Sequence, residues 1–129
     1  MLTSVGLIMA ATLTPLEAAI GSGVVSDGTC DFSRGGVLPL LDLPLTSDDP
    51  VLNIALFVPL GISIGLSRSP HRTSLIVAAI ALPFGIEFAQ LILPVLDRSC
   101  EAADIVDNLT GLGLGLVVGG IMASALSRD

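Results

Sequence analysis

No lysine, tryptophan or tyrosine occurs anywhere in the chain, and charged residues make up only 13% of it. Each absence excludes something. A soluble domain carries about 25% charged residues, so the deficit argues against a surface that faces water all round. With five basic side chains besides one histidine, no basic patch suggests nucleic acid as a partner. Two cysteines and one histidine are too few soft ligands for a metal site, and no cofactor is expected. The missing Trp and Tyr remove the usual interfacial aromatic belt of membrane proteins, which leaves Phe and Pro to mark the interfaces. No internal repeat or low-complexity tail is evident.

What is present is apolar. Hydrophobic residues make up 52% of the 129 positions, the mean hydropathy is +0.91, and several runs are long. This composition implies an all-α integral membrane protein. The length suits one compact four-transmembrane-helix bundle, a single domain over residues 1–129.

The first apolar run starts at Leu2, reaches Pro15 and Leu16, and extends to about residue 20, with Glu17 at the outer interface. A cleaved signal peptide, with Ala18 and Ala19 near the cut, is the competing reading. The positive segment such a signal requires is absent, which favours a retained helix. Residues 21–49 form an outer loop rich in Gly, Ser, Pro and Asp, holding Asp27, Asp31, Asp42, Asp48 and Asp49 against a single Arg34. Within it, the apolar stretch 37–45 is broken by Pro39 and Pro44 and is too short to span. The second span, 50–67, opens on Pro50, a good first-turn residue, and has an interior Pro59 expected to bend it. The loop that follows contains Arg68, His71 and Arg72 with no acid, and the positive-inside rule places it in the cytoplasm. The third span, 75–94, is kinked at Pro83, a second outer loop covers 95–103, and the fourth span runs from 104 to 125 with Arg128 beyond it. Both termini are then cytoplasmic.

Polar residues that are expensive inside a bilayer collect toward one side. Asn53 opens the second helix, Glu87 and Gln90 lie near the end of the third, and Asp104, Asp107 and Asn108 open the fourth. Glu87 stands seven residues before Pro94, which puts it on the order of 10 Å inside the outer helix end. Arg98 lies in the loop between the third and fourth helices. Three acids facing one base make a candidate general acid or base, or a cation-binding group. Each residue also has a structural reading. Asp104 suits an N-cap, Asn53 and Gln90 suit hydrogen bonds across helices, and Arg98 could serve only to neutralise Glu87. His71 reads as a solvated loop residue. Asp104, Asp107, Asn108, Gly111 and Gly115 share one face of the fourth helix, with Ile105, Val106, Leu109, Leu112 and Leu116 opposite. Gly61 and Gly65 in the second helix and Gly111, Gly115 and Gly119 in the fourth are spaced by four, the signature of close helix packing. Cys30 and Cys100 fall in the two outer loops on the same side, so an oxidising compartment favours a disulfide between them. A nucleophilic thiol has no histidine on its side to activate it.

The pattern resembles the VanZ-like family of small bacterial membrane proteins. The resemblance rests on Thr14-Pro15, on Asn53 to Gly61 (Asn-Ile-Ala-Leu-Phe-Val-Pro-Leu-Gly), and on Glu87-Phe-Ala-Gln90. It also rests on Arg98 followed by Asp104-Ile-Val-Asp107-Asn108-Leu-Thr-Gly111 with Gly115. These four blocks arrive in the family's order and cover nearly the whole chain. The paired outer cysteines resemble a variant among actinobacterial members. The family takes its name from a teicoplanin-resistance protein, so the resemblance implies a multi-pass plasma-membrane protein acting at the cell envelope, without assigning a reaction. The leading expectation is an outward-facing polar pocket that binds an envelope lipid or glycopeptide-related ligand. Asn53, Glu87, Gln90, Arg98, Asp104, Asp107 and Asn108 would form it, with Arg98 as the contact for a phosphate or carboxylate. The alternatives are an intramembrane enzyme using Glu87 or Asp107 as general base on a lipid-linked substrate, and a structural scaffold or partner subunit. A transporter is disfavoured because no polar residue marks a route to the cytoplasm.

Overall fold

The computed structural model describes residues 2–13, 29–32, 50–93 and 100–128. Several expectations lie outside these residues: the extension of the first helix to 20, the interrupted run 37–45, and Arg98. The described residues are helical apart from one short bridge and the turns that flank the helices. The element order is α1 (Leu2–Leu13), β1 (Cys30–Asp31), α2 (Pro50–Leu66), α3 (Arg72–Ile92), β2 (Cys100–Glu101) and α4 (Ala102–Leu126).

Contacts between the helices fix their directions. The glycines of α4 meet α2 in increasing order: Gly111 abuts Ile54, Gly115 abuts Val58, and Gly119 abuts Ile62. The two helices therefore run parallel. Arg68, just past α2, donates to the Ala123 carbonyl near the end of α4 at 3.5 Å. Glu87, near the end of α3, meets Glu101 at the start of α4, so α3 is antiparallel to both. Gln90 of α3 reaches Thr12 of α1, which sends α1 in the same direction as α3. The four helices alternate up and down. One end carries Arg68, His71, Arg72 and Arg128; the other carries Glu87, Gln90, Glu101 and Asp104.

The α2–α4 contact is the most extensive in the molecule, and its glycines explain why. A methyl group on Gly111 or Gly115 would strike the Ile54 or Val58 carbonyl oxygen, and one on Gly119 would come within 2.5 Å of the Ile62 carbonyl oxygen. On the other side of the contact, a methyl on Gly65 would lie 2.8 Å from the Leu116 carbonyl oxygen. Backbone touches backbone along the whole contact, a proximity that only a residue without Cβ permits. Ile8, Phe57, Leu60, Ile64, Ala79, Ile86 and Leu112 form the apolar core.

The helix ends differ from those the apolar runs suggest. The turn before α3 is held by Ser67 and Ser69: the Ser69 N–H donates to Ser67 Oγ and the His71 N–H to Ser69 Oγ, both at 3.2 Å. These local bonds start the helix at Arg72, three residues before the apolar run, so Arg72 belongs to its first turn. At the far end Leu93 leaves the helical region at φ −115°, ψ 80°, as a residue preceding proline is biased to do. Helix α4 starts at Ala102 because Glu101, with extended φ and ψ, is its N-cap. Asp104 is thus the third helical residue and not the cap.

Helices α3 (21 residues) and α4 (25 residues) are long and apolar enough to cross a membrane, while α1 and α2 are shorter apolar helices. At about 1.5 Å per residue, the 21 and 25 residues match a hydrocarbon layer of about 30 Å. Both expose rows of large apolar side chains. Val77, Ile80, Phe84, Phe88 and Ile92 repeat at three or four residues along α3, and Leu114, Val117, Val118, Ile121 and Met122 do so along α4. Soluble monomers rarely expose such contiguous surface, whereas lipid tails accept it.

Candidate functional site

Five polar side chains among the described residues are withdrawn from the surface: Glu87 and Gln90 on α3 are each 3% exposed, Asp107 on α4 is 0% and Asn108 2%, and Thr12 on α1 is 6%. Burial of such groups in an apolar bundle is costly unless each is paired. The partners of Glu87 and Gln90 show what those two residues do.

Glu87 has a definite partner. Its Oε2 accepts a hydrogen bond from the Glu101 backbone N–H at 2.9 Å. In a capping box, the third residue of a helix reaches back to the N-cap N–H. Here a carboxylate from α3 occupies that place at the start of α4, while the Glu101 side chain makes no capping bond. The positive end of the α4 dipole favours a negative charge there. Cys100, the neighbour of Glu101, is bonded to Cys30, with Cα atoms 4.6 Å apart. The two-residue parallel bridge pairs Cys30 with Cys100 and Asp31 with Glu101. The disulfide, the bridge and the Glu87 bond all converge on the first residues of α4.

Gln90 ties α3 to α1: its Nε2 donates to the Thr12 carbonyl oxygen at 3.4 Å. The Thr12 hydroxyl is itself satisfied by the Ile8 carbonyl oxygen at 2.8 Å. Gln90 Oε1 and Asn108 Oδ1 are buried and find no hydrogen-bond partner among the described residues. An unmatched buried carbonyl oxygen costs about 1–3 kcal/mol, and this polar end carries two. Acceptors so placed call for donors: a hydroxyl, an ammonium, a water or a cation.

The remaining expected residues are spread more widely. Asn53 is half-buried on α2, next to Ile54, whose carbonyl abuts Gly111. That places Asn53 within about one turn of Asn108. Asp104 is half-buried in the first turn of α4. Asn108 follows Glu101 by seven residues, so it lies about 10 Å deeper along the axis. The polar set therefore extends over about two helical turns at one end of the bundle. Leu112 departs from expectation: it is buried, not on the outer face. The buried sector of α4 is wide because α2 and α3 both pack against it.

Sequence reasoning missed two participants. Thr12 gave no signal, since a threonine in an apolar helix usually just bonds back to the carbonyl four residues earlier. Glu101 acts through its backbone, which no side-chain pattern reveals. Among the described residues no group of three His, Cys, Asp or Glu side chains is placed to hold a metal ion. A cavity of about 200 Å³ lies elsewhere, lined by Val5, Leu60, Ile64, Leu75, Ala78, Ala79 and Leu82, and none of the expected site residues borders it.

A family model described as VanZ/LLP1 matches residues 3–123. No curated protein and no solved structure matches the chain.

Proposed function

The chain belongs to the VanZ/LLP1 family, and from that premise we propose that it is a multi-pass plasma-membrane protein whose polar end binds an envelope lipid or a glycopeptide-related ligand. In this reading α1 to α4 each cross the bilayer, both termini are cytoplasmic, and the disulfide end faces outward. Three features support the orientation. The helices alternate in direction, the Arg68–Arg72 loop and Arg128 sit together at the opposite end, and a disulfide suits the oxidising side. The observation that carries the binding reading is two buried carbonyl oxygens, on Gln90 and Asn108, that have no hydrogen-bond partner among the described residues. A bound ligand donating to either would remove a cost that an empty bundle bears. Arg98, from the loop before α4, would meet the ligand's phosphate or carboxylate.

The test is binding by purified protein in detergent, with a polyprenyl phosphate and teicoplanin as probes. Binding of either probe that weakens about tenfold or more in Asn108→Ala, at about one lost hydrogen bond, supports the reading. Equal affinities in wild type and variant contradict it. If the protein contributes to glycopeptide tolerance, the same variant lowers the teicoplanin concentration that cells survive. The enzymatic alternative, with Glu87 or Asp107 as general base, draws less support, because Glu87 Oε2 is engaged in holding α4. Turnover abolished by Glu87→Gln with probe binding intact would favour it. A purely structural role predicts no change in phenotype in Glu87→Ala or Arg98→Ala at unchanged expression and melting temperature.

A further inference from the structure

The cavity at the basic end offers a second site, independent of the reading given to the polar end. We propose that the groove between α1, α2 and α3 takes one acyl chain of an anionic phospholipid whose phosphate is held by Arg72.

The groove is apolar throughout. Leu60 and Ile64 of α2 and Ala79 of α3 form its buried floor, Val5 and Leu82 are partly buried, and Ala78 is exposed. Its volume is about 200 Å³. A half-open apolar slot offers water no hydrogen-bond partners and offers a segment of hydrocarbon chain apolar contact on several sides. Small side chains create the space: Ala78 and Ala79 stand where larger residues would close it.

The same helix face that lines the groove carries the charge. Arg72, Leu75, Ala79 and Leu82 follow at three, four and three residues, so they form one stripe of α3. Arg72 lies one turn beyond the groove toward the helix start. Arg68, two residues past the end of α2, adds charge to the same end of the bundle, but its guanidinium donates to the Ala123 carbonyl of α4, which is not part of the groove. Arg68, His71 and Arg72 are exposed, and residues 66–74 contain no acid. A cationic rim over an apolar slot complements a phosphate attached to a fatty acyl chain. It complements neither a zwitterionic headgroup nor a free anion equally well.

The experiment uses the whole chain in mild detergent, with phosphatidylglycerol and phosphatidylcholine of identical acyl chains at equal concentration, and reads retained lipid by native mass spectrometry. Phosphatidylglycerol is expected to be retained preferentially. Arg72→Gln is expected to lower that preference about fivefold, the effect of one basic residue at an anionic interface. Ala78→Phe, at an exposed lining position, fills the groove and brings phosphatidylglycerol retention down to the phosphatidylcholine level. Glycerol phosphate, which has the charge without the chain, leaves bound phosphatidylglycerol in place; this comparison uses wild-type protein and stands whether or not the variants fold. Equal retention of both lipids by wild type overturns the proposal, as does displacement by glycerol phosphate. So does undiminished retention in a folded Ala78→Phe protein, which would place the lipid on the arginines alone.

Discussion

Adding one methyl group at Gly115 tests the packing on which the bundle depends. Its Cβ would strike the Val58 carbonyl oxygen and lie 2.9 Å from both Gly61 Cα and the Ile62 nitrogen. Carbon contacts settle at about 3.5–4.0 Å, so α2 and α4 would have to part by at least about half an ångström, and further to clear the carbonyl oxygen. All three obstacles are backbone atoms, and no rotamer change relieves them. Overpacking of this kind costs about 1–3 kcal/mol, and the rigid surroundings place Gly115→Ala at the upper end. Gly113→Ala is the matched control, since nothing lies within 4 Å of its Cβ. Alanine gains about 1 kcal/mol of helix propensity over glycine at either position. The difference between the two variants therefore isolates the overpacking cost. Unfolding by sodium dodecyl sulfate in mixed micelles, followed by circular dichroism, reads it directly. Gly113→Ala is expected to match or exceed wild type, and Gly115→Ala to fall about 2–3 kcal/mol below Gly113→Ala. Equal stabilities would refute the backbone-on-backbone contact.

Glu87→Gln keeps an acceptor for the Glu101 N–H and removes only the charge, whereas Glu87→Ala removes the bond. The alanine variant should lose about 1.5–3 kcal/mol in the same unfolding assay, and the glutamine variant clearly less; equal losses would mean that charge and not capping matters. Reduction of Cys30–Cys100, which spans 70 residues, should lower stability by at most about 4 kcal/mol by loop entropy. Maleimide should label both cysteines of intact cells only after reductant is added, and labelling without it would contradict the bond. Cysteines introduced at Ser69 or Thr73, in a variant lacking the native pair, should resist an impermeant reagent applied to intact cells. Modification there would invert the proposed topology.

Much of this architecture was legible in the sequence because long apolar helices announce themselves locally. The apolar runs and the four-residue glycine spacing of α4 each carry their meaning within a few residues, and a chain with two cysteines allows one pairing. The helix starts were less legible. Apolar content begins at Leu75 and at about Asp104, but Ser67 and Ser69 start α3 earlier, and the extended Glu101 caps α4 earlier. Capping is a matter of hydrogen bonds, not hydropathy, so the hydropathy profile misses it. For the candidate site, the sequence picked out Glu87, Gln90, Asp107 and Asn108, all of which are buried. It did not reveal that Glu87 grips the backbone of another helix. That relation depends on how antiparallel helices slide past each other, a tertiary quantity without a sequence period.

Under the proposed function the carbonyl oxygens of Gln90 and Asn108, buried and without a hydrogen-bond partner among the described residues, take a ligand. Electron cryo-microscopy of the protein purified with its native lipids shows whether they do. Density for a polar group, a headgroup or an ordered cation, is expected within hydrogen-bonding or coordinating distance of at least one of the two oxygens. Finding both oxygens paired with the protein's own donors, such as Arg98, and no ligand between α1, α3 and α4 would contradict the proposed function.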